Sequence, residues 1–224
     1  MSPDRVVSSI DQFSKLLAES QVLFLSGGFS ASDEPDGSGK LIATFLRNTR
    51  VKKAIHALLR DRDGLVGGIC NGFQALLQVG LLPHGSITEP RSGDPLLIEN
   101  IQGHHLSSLV HCRVSSVLSP WMGAYQVGDT RLIPISHGEG NFFAPLETLK
   151  RLEKNGQIAT QYVDERGNPL APNGSLWAIE GISSKDGKVF GRMAHSERVV
   201  TQLYTNTPAI PDAGLFRGAV RYFS

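Results

Sequence analysis

The stretch Leu65-Val-Gly-Gly-Ile-Cys-Asn-Gly-Phe-Gln74 constrains this chain more than any other. Its first five residues form a short apolar run punctuated by glycine, the texture of a strand buried on both faces. Asn71 to Val79 then carries apolar residues at helical spacing and stops at Gly80, a residue suited to ending a helix. Cys70 therefore sits where a buried strand turns directly into a helix. So sharp a turn holds its central residue in a strained backbone conformation and requires small residues two positions before and after it. Those positions are Gly68 and Gly72. The helix N-terminus behind Cys70 offers unpaired N–H groups and the positive end of a dipole, and both stabilise a thiolate and a developing oxyanion. The pattern is that of a nucleophile elbow. The competing reading is a buried structural cysteine among glycines chosen for close packing.

The rest of the chain supplies a setting for such a turn. Ser9-Ile-Asp-Gln12 has capping-box spacing and is followed by Phe13, Leu16 and Leu17, which predicts a short first helix. Val22 to Leu25 is a second apolar run ending in Ser26-Gly27-Gly28, and helical patterns occupy Gly39 to Asn48 and Arg50 to Arg60. Strand and helix alternating in this way predict a parallel sheet covered by helices. From Leu96 short β-rich runs take over, at 96–101, 107–117, 131–136, 158–163, 177–183 and 189–193, with one helix over 145–155. Asp186-Gly187 between the last two runs signals a hairpin, so antiparallel strands join the sheet there. No repeat or linker divides the 224 residues. The expectation is one α/β domain, an open, mostly parallel sheet flanked by helices with added antiparallel strands.

A cysteine nucleophile needs a base, and the base needs a residue to orient it. His195 follows the last β run and lies one residue from Glu197; in an extended segment the two side chains point the same way, so Glu197 can fix the tautomer of the ring. His-x-Glu pairs are common on surfaces, and this one gains weight only beside Cys70. His104, His105, His111 and Cys112 lack the usual spacing of metal ligands, and exposed strand positions explain them equally well. Gly37-Ser-Gly-Lys40 is not a phosphate loop, since Glu34 stands at the first glycine position and Leu41 where Ser or Thr should follow. His137-Gly-Glu-Gly140 lets backbone approach a ligand closely, or is an ordinary turn. A formal charge of +1 offers nothing to drive binding to nucleic acid or an anionic membrane. Two cysteines build no disulfide framework and no apolar run is long enough for a bilayer, so a cytoplasmic protein is expected.

Taken together, Gly27-Gly-Phe-Ser30, Gly68-Ile-Cys-Asn-Gly-Phe-Gln74, Ser136-His-Gly-Glu-Gly140, Pro172-Asn-Gly-Ser175 and His195-Ser-Glu-Arg198 resemble, in order and spacing, the class I (triad) glutamine amidotransferase domain of phosphoribosylformylglycinamidine synthase. The resemblance implies a domain that hydrolyses glutamine and delivers ammonia to a synthetase domain or subunit, where formylglycinamide ribonucleotide becomes the amidine. It implies Cys70 as nucleophile, His195 as general base and acid, and Glu197 as its orienting residue. Backbone N–H groups at Gly28 and Asn71 would form the oxyanion hole, and Gln74, His137, Gly138 and Glu139 would line the glutamine pocket. No cofactor or metal is implied in this domain; ATP and magnesium are expected in the synthetase part. The alternatives are a silent domain that only binds a partner, and a cysteine hydrolase with another substrate.

Two departures from the family pattern stand out. Many relatives have Pro-His-Pro-Glu where this chain has Ala194-His-Ser-Glu197, which keeps the His-x-Glu pair and removes two rigid residues. The family domain also opens with a strand and a long helix ahead of the segment corresponding to Ile10, where this chain has nine residues. A missing central strand is therefore expected, with the chain a C-terminal portion of a larger synthetase or a piece completed by another polypeptide.

Overall fold

The protein, represented by a computed structural model, is described over residues 3–28, 39–200, 203, 204, 206 and 213–224. In chain order its elements are α1 (Pro3–Ala18), β1 (Val22–Leu25), α2 (Lys40–Arg47), α3 (Thr49–Arg60), β2 (Leu65–Ile69), α4 (Asn71–Gln78), the single turn α5 (Leu81–His84), β3 (Leu96–Glu99), β4 (Leu106–Val114), β5 (Thr130–His137), β6 (Glu139–Phe143), α6 (Leu146–Lys154), β7 (Ile158–Val163), β8 (Ile179–Ser183), β9 (Val189–Arg192) and α7 (Gly214–Arg221). Short 3-10 turns occupy Pro120–Met122, Leu176–Ala178 and Ser196–Arg198.

Seven strands form one sheet in the order β1-β2-β9-β8-β7-β4-β5, and β3 pairs with β6 in a separate ribbon. The α/β sheet flanked by helices and extended by antiparallel strands is the fold expected, with a different balance. Parallel pairing is confined to β1–β2 and β2–β9. From β9 onward, through β8, β7, β4 and β5, every neighbour is antiparallel. The Asp186-Gly187 turn joins β8 to β9 as the hairpin signal requires.

Residues of β2 and β9 are buried throughout because helices cover both faces of the parallel part. Alternation decides which residue meets which layer. On one face the backbone at Gly68 and Gly191 lies against Leu76, Phe73 and Leu82, of α4 and α5. On the other, Gly67 leaves room for the Trp121 indole, which also meets Phe24 and Phe190, while Phe216 of α7 packs on Phe24. A second core of Val110, Cys112, Ile133, Ile135, Tyr162, Ala178, Ala194 and Val199 lies against the antiparallel strands.

Two expectations are corrected. The first helix begins at Pro3, not near Ser9, whose hydroxyl donates to the Arg5 carbonyl within the helix instead of capping it. The described strands pair in one unbroken order, with β1 as the outer strand of the sheet. β6 and α7, absent from the sequence expectation, are additional elements.

Candidate active site

Cys70 stands between β2 and α4 with φ 51° and ψ −109°, a conformation seldom adopted by a residue with a side chain. Two features enforce it. The Cys70 N–H donates to the Arg192 carbonyl of β9 at 2.8 Å, and its own carbonyl accepts the Gln74 N–H at 3.0 Å as the first bond of α4. The glycines around it are obligatory on steric grounds: a Cβ at Gly68 would come within 2.7 Å of Leu76, and one at Gly72 would run into the Leu25 carbonyl. The elbow predicted from Gly-x-Cys-x-Gly is present, with the thiol free of any disulfide.

His195 reaches the elbow from three residues beyond β9, and its N–H is anchored on the Pro134 carbonyl of β5 at 2.9 Å. Its Nδ1 is 2.6 Å from Glu197 Oε1. The pairing is the one expected, but the backbone reason differs. Residues 196–198 form a 3-10 turn, which swings Glu197 back onto the ring; no extended segment is involved. Nε2, the other ring nitrogen, is buried with no hydrogen-bond partner among the described residues. Burial opposes a charge on the ring, but the Cys70 sulfur and the Glu197 carboxylate outweigh it and push the His195 pKa up to about 9. Gly27 allows the Cys70 and His195 side chains this proximity, because a Cβ there would lie 2.7 Å from His195 Cε1 and 3.2 Å from Cys70 Cβ.

Gly28, Cys70, Asn71, Gln74, Ser136, His137, Gly138, His195 and Arg198 line one cleft of about 420 Å³, counting the part open to solvent. Gly28 and Asn71, the expected oxyanion donors, thus share it with the nucleophile. Phe29 and Ser30 of the same glycine turn lie outside the described residues, as do Gly37 and Ser38. Gln74 donates to the Glu139 carbonyl at 2.7 Å, which ties α4 to the start of β6. Glu139 itself is not part of the cleft and borders a neighbouring hollow with Leu77, Leu96 and Leu97.

His137 is held by Asn100, whose Oδ1 is 3.0 Å from Nδ1 and whose amide nitrogen donates to the His137 carbonyl at 2.8 Å. The Pro172-Asn-Gly-Ser175 motif supports this segment from behind: Asn173 and Ser175 both donate to the Gly140 carbonyl. Burial, with His105 and His195 nearby, lowers the His137 pKa to about 4. The ring is neutral near pH 7, Nδ1 donates to Asn100, and Nε2 is left as a buried acceptor without a partner among the described residues. One cleft therefore holds a protonated and a neutral imidazole side by side.

Sequence reasoning assigned no role to Ser136 and Arg198. The Ser136 carbonyl accepts from the Cys70 thiol at 3.8 Å, and Arg198 brings a permanent charge to the cleft wall. Arg198 is the fourth residue of the His-Ser-Glu-Arg motif, so its position was visible even though its purpose was not. His104 and His105 are exposed and His111 lies on β4; among the described residues no group of three or more His, Cys, Asp or Glu could hold a metal ion. Among those residues no helix is long and apolar enough to cross a membrane.

Comparison with known proteins agrees with this geometry. The CobB/CobQ-like glutamine amidotransferase domain matches residues 2–223. Phosphoribosylformylglycinamidine synthase subunit PurQ of a Synechococcus strain is 36% identical over 200 residues, covering 87% of this chain and 77% of that protein. PurQ of Aquifex aeolicus is 36% identical over 189 residues, covering 82% and 75%. The structure of PurLQS from Thermotoga maritima superposes with a TM-score of 0.68 at 28% identity, over 91% of this chain and 80% of the other. The chain belongs to the CobB/CobQ-like glutamine amidotransferase domain family.

Proposed function

We propose that residues 1–224 form the glutaminase domain of a phosphoribosylformylglycinamidine synthase in purine biosynthesis, which hydrolyses glutamine and passes the ammonia to a synthetase domain or subunit. The observation that carries this reading is a strained cysteine at a helix N-terminus, in one cleft with a histidine oriented by a carboxylate. The likeness to PurQ and to PurLQS supports both the substrate and the existence of a synthetase partner.

The steps follow from the protonation states. In the reacting form the His195 ring carries the proton and Cys70 attacks as the thiolate. The sulfur attacks the side-chain carboxamide carbon of glutamine, and N–H groups at Gly28 and Asn71 receive the oxyanion. As the tetrahedral adduct collapses, the C–N bond breaks and the His195 proton leaves with the nitrogen as ammonia. The ring, now neutral, takes a proton from water as the hydroxide attacks the thioester, and glutamate departs with the thiolate and imidazolium restored. Arg198 binds the α-carboxylate of glutamine, and His137 Nε2 accepts a hydrogen bond from the substrate. ATP and magnesium act in the synthetase part and take no step in this cleft.

Cys70→Ala, assayed together with the synthetase partner, is expected to abolish glutamine hydrolysis and labelling by a glutamine-like electrophile. Persistence of both in that variant overturns the reading.

A further inference from the structure

The loop that presents His195 has no proline on either side of the histidine, so its rigidity comes from elsewhere. Arg192 at the end of β9 and Glu180 of β8 form an ion pair whose side chains are 3% and 0% exposed. Arg192 Nη2 is 2.9 Å from Glu180 Oε2, and Nε lies 3.1 Å from both carboxylate oxygens. The pair does not close on itself. Glu180 Oε1 accepts the Ala194 N–H at 2.7 Å, and Arg192 Nη1 donates to Ser196 Oγ at 3.0 Å. Both chain neighbours of His195 are thus tied to one buried pair. Thr160 Oγ1 fixes the carboxylate to β7 at 2.5 Å. The backbone of the same two residues does related work: the Glu180 carbonyl accepts from Met193 N–H at 3.1 Å, and the Arg192 carbonyl holds Cys70 N–H.

We propose that the Glu180–Arg192 pair is a positioning device that sets the His195 ring against Cys70, gripping the loop through Ala194 and Ser196. The inference rests on the glutaminase reading of Cys70 and His195. A buried ion pair is weak as a stabiliser, because apolar residues of similar volume often serve the fold as well or better. What apolar residues cannot do is bond to an N–H at one flank of a histidine and a hydroxyl at the other. Prolines at 194 and 196 would offer neither group, but would stiffen the loop through their own rings. The polar pair and the flexible flanks are complementary solutions to one problem, the placement of a catalytic base.

The test uses the full chain with its synthetase partner. Glu180→Leu combined with Arg192→Met is expected to melt within a few degrees of the parent, while glutaminase kcat and the rate of Cys70 labelling by a glutamine-like electrophile fall at least tenfold and KM stays within about threefold. Adding Ala194→Pro and Ser196→Pro to that variant is expected to restore most of the lost kcat. Unchanged kcat in the double variant, or a loss that the prolines do not restore, overturns the proposal. If the double variant fails to fold, Ser196→Ala removes the Arg192 contact and leaves the ion pair in place; a several-fold loss of kcat with a shifted pH profile supports the proposal and a parental profile overturns it. A parent protein that neither hydrolyses glutamine nor takes the label overturns the glutaminase reading itself, and is told apart from failure of the positioning role.

Discussion

Glu197 is one-third exposed, yet together with Cys70 it shifts the charge state of a buried ring. Burial works against a charged His195, and the Cys70 sulfur and Glu197 carboxylate reverse the balance, raising its pKa to about 9. A histidine raised in the folded state above its unfolded value of about 6.5 adds stability that is complete below that pH and is lost as pH rises through about 9. In the proposed mechanism the same proton is the one given to ammonia, so activity and stability are expected to share an alkaline limb. Glu197→Gln keeps the shape and removes the charge. It is expected to move the alkaline limb of the glutaminase pH profile below 9 and to lower kcat by roughly 10⁴, the cost of losing the orienting carboxylate of a triad. A profile identical to the parent's would show that Glu197 does not govern the ring. In the proposed mechanism Arg198 acts on a different quantity. Arg198→Met is expected to raise KM for glutamine at least tenfold with a smaller effect on kcat, which steady-state kinetics separates.

Among the elements, the strand–elbow–helix unit is held by close approach of backbones. Gly72 of α4 lies against the Leu25 carbonyl of β1, and that carbonyl belongs to main chain that cannot rotate away. Gly72→Ala is therefore expected to destabilise the fold by roughly 1–3 kcal/mol, the usual cost of overpacking, as read by denaturant unfolding. This unit was also the most legible part of the sequence. Val22–Leu25, Leu65–Ile69 and Asn71–Gln78 were found because each has an apolar pattern bounded by glycine, and local pattern and tertiary role coincide. Elsewhere they part. Glu139–Phe143 reads as a turn leading into Phe142 and Phe143, and becomes a strand only because β3 lies beside it. The start of α1 was announced by Pro3, a residue favoured in the first helical turn, and was missed in favour of the capping-box spacing at Ser9. For the site, Cys70, His195 and Glu197 were legible from spacing and from the resemblance. The Glu180–Arg192 pair was not, since its members stand twelve positions apart in the hairpin and only the β8–β9 pairing brings them together.

At the scale of the whole molecule, the active site is assembled across the line where the sheet changes character. Cys70 comes from the parallel part, while His195 is anchored on Pro134 of β5 and His137 ends that same strand, both beyond the change to antiparallel pairing. The larger core already runs from the parallel part onto Val114, Ile158, Ile179 and Ile182 of the antiparallel strands, but a smaller core belongs to the antiparallel part, which raises the idea of two units that unfold separately. The hydrogen bonds argue against that. β9 belongs to both parts: it pairs parallel with β2 and antiparallel with β8, and its Arg192 is bonded through backbone to Cys70 and through side chain to Glu180. Unfolding either part strips β9 of half its partners and leaves a buried carboxylate or guanidinium exposed to an apolar core, so the two should melt as one. The two tryptophans report on opposite parts, Trp121 buried between β2 and α7 and Trp177 partly exposed beside β8. In Trp121→Phe the remaining fluorescence follows the antiparallel part, and in Trp177→Phe the parallel part. Within each variant, the fluorescence midpoint in denaturant is expected to coincide with the far-ultraviolet circular dichroism midpoint and with loss of Cys70 labelling by a glutamine-like electrophile. Fluorescence and dichroism midpoints that separate in either variant would show that the two cores fold independently, and that the catalytic pair is aligned by docking of two units instead of by one continuous sheet.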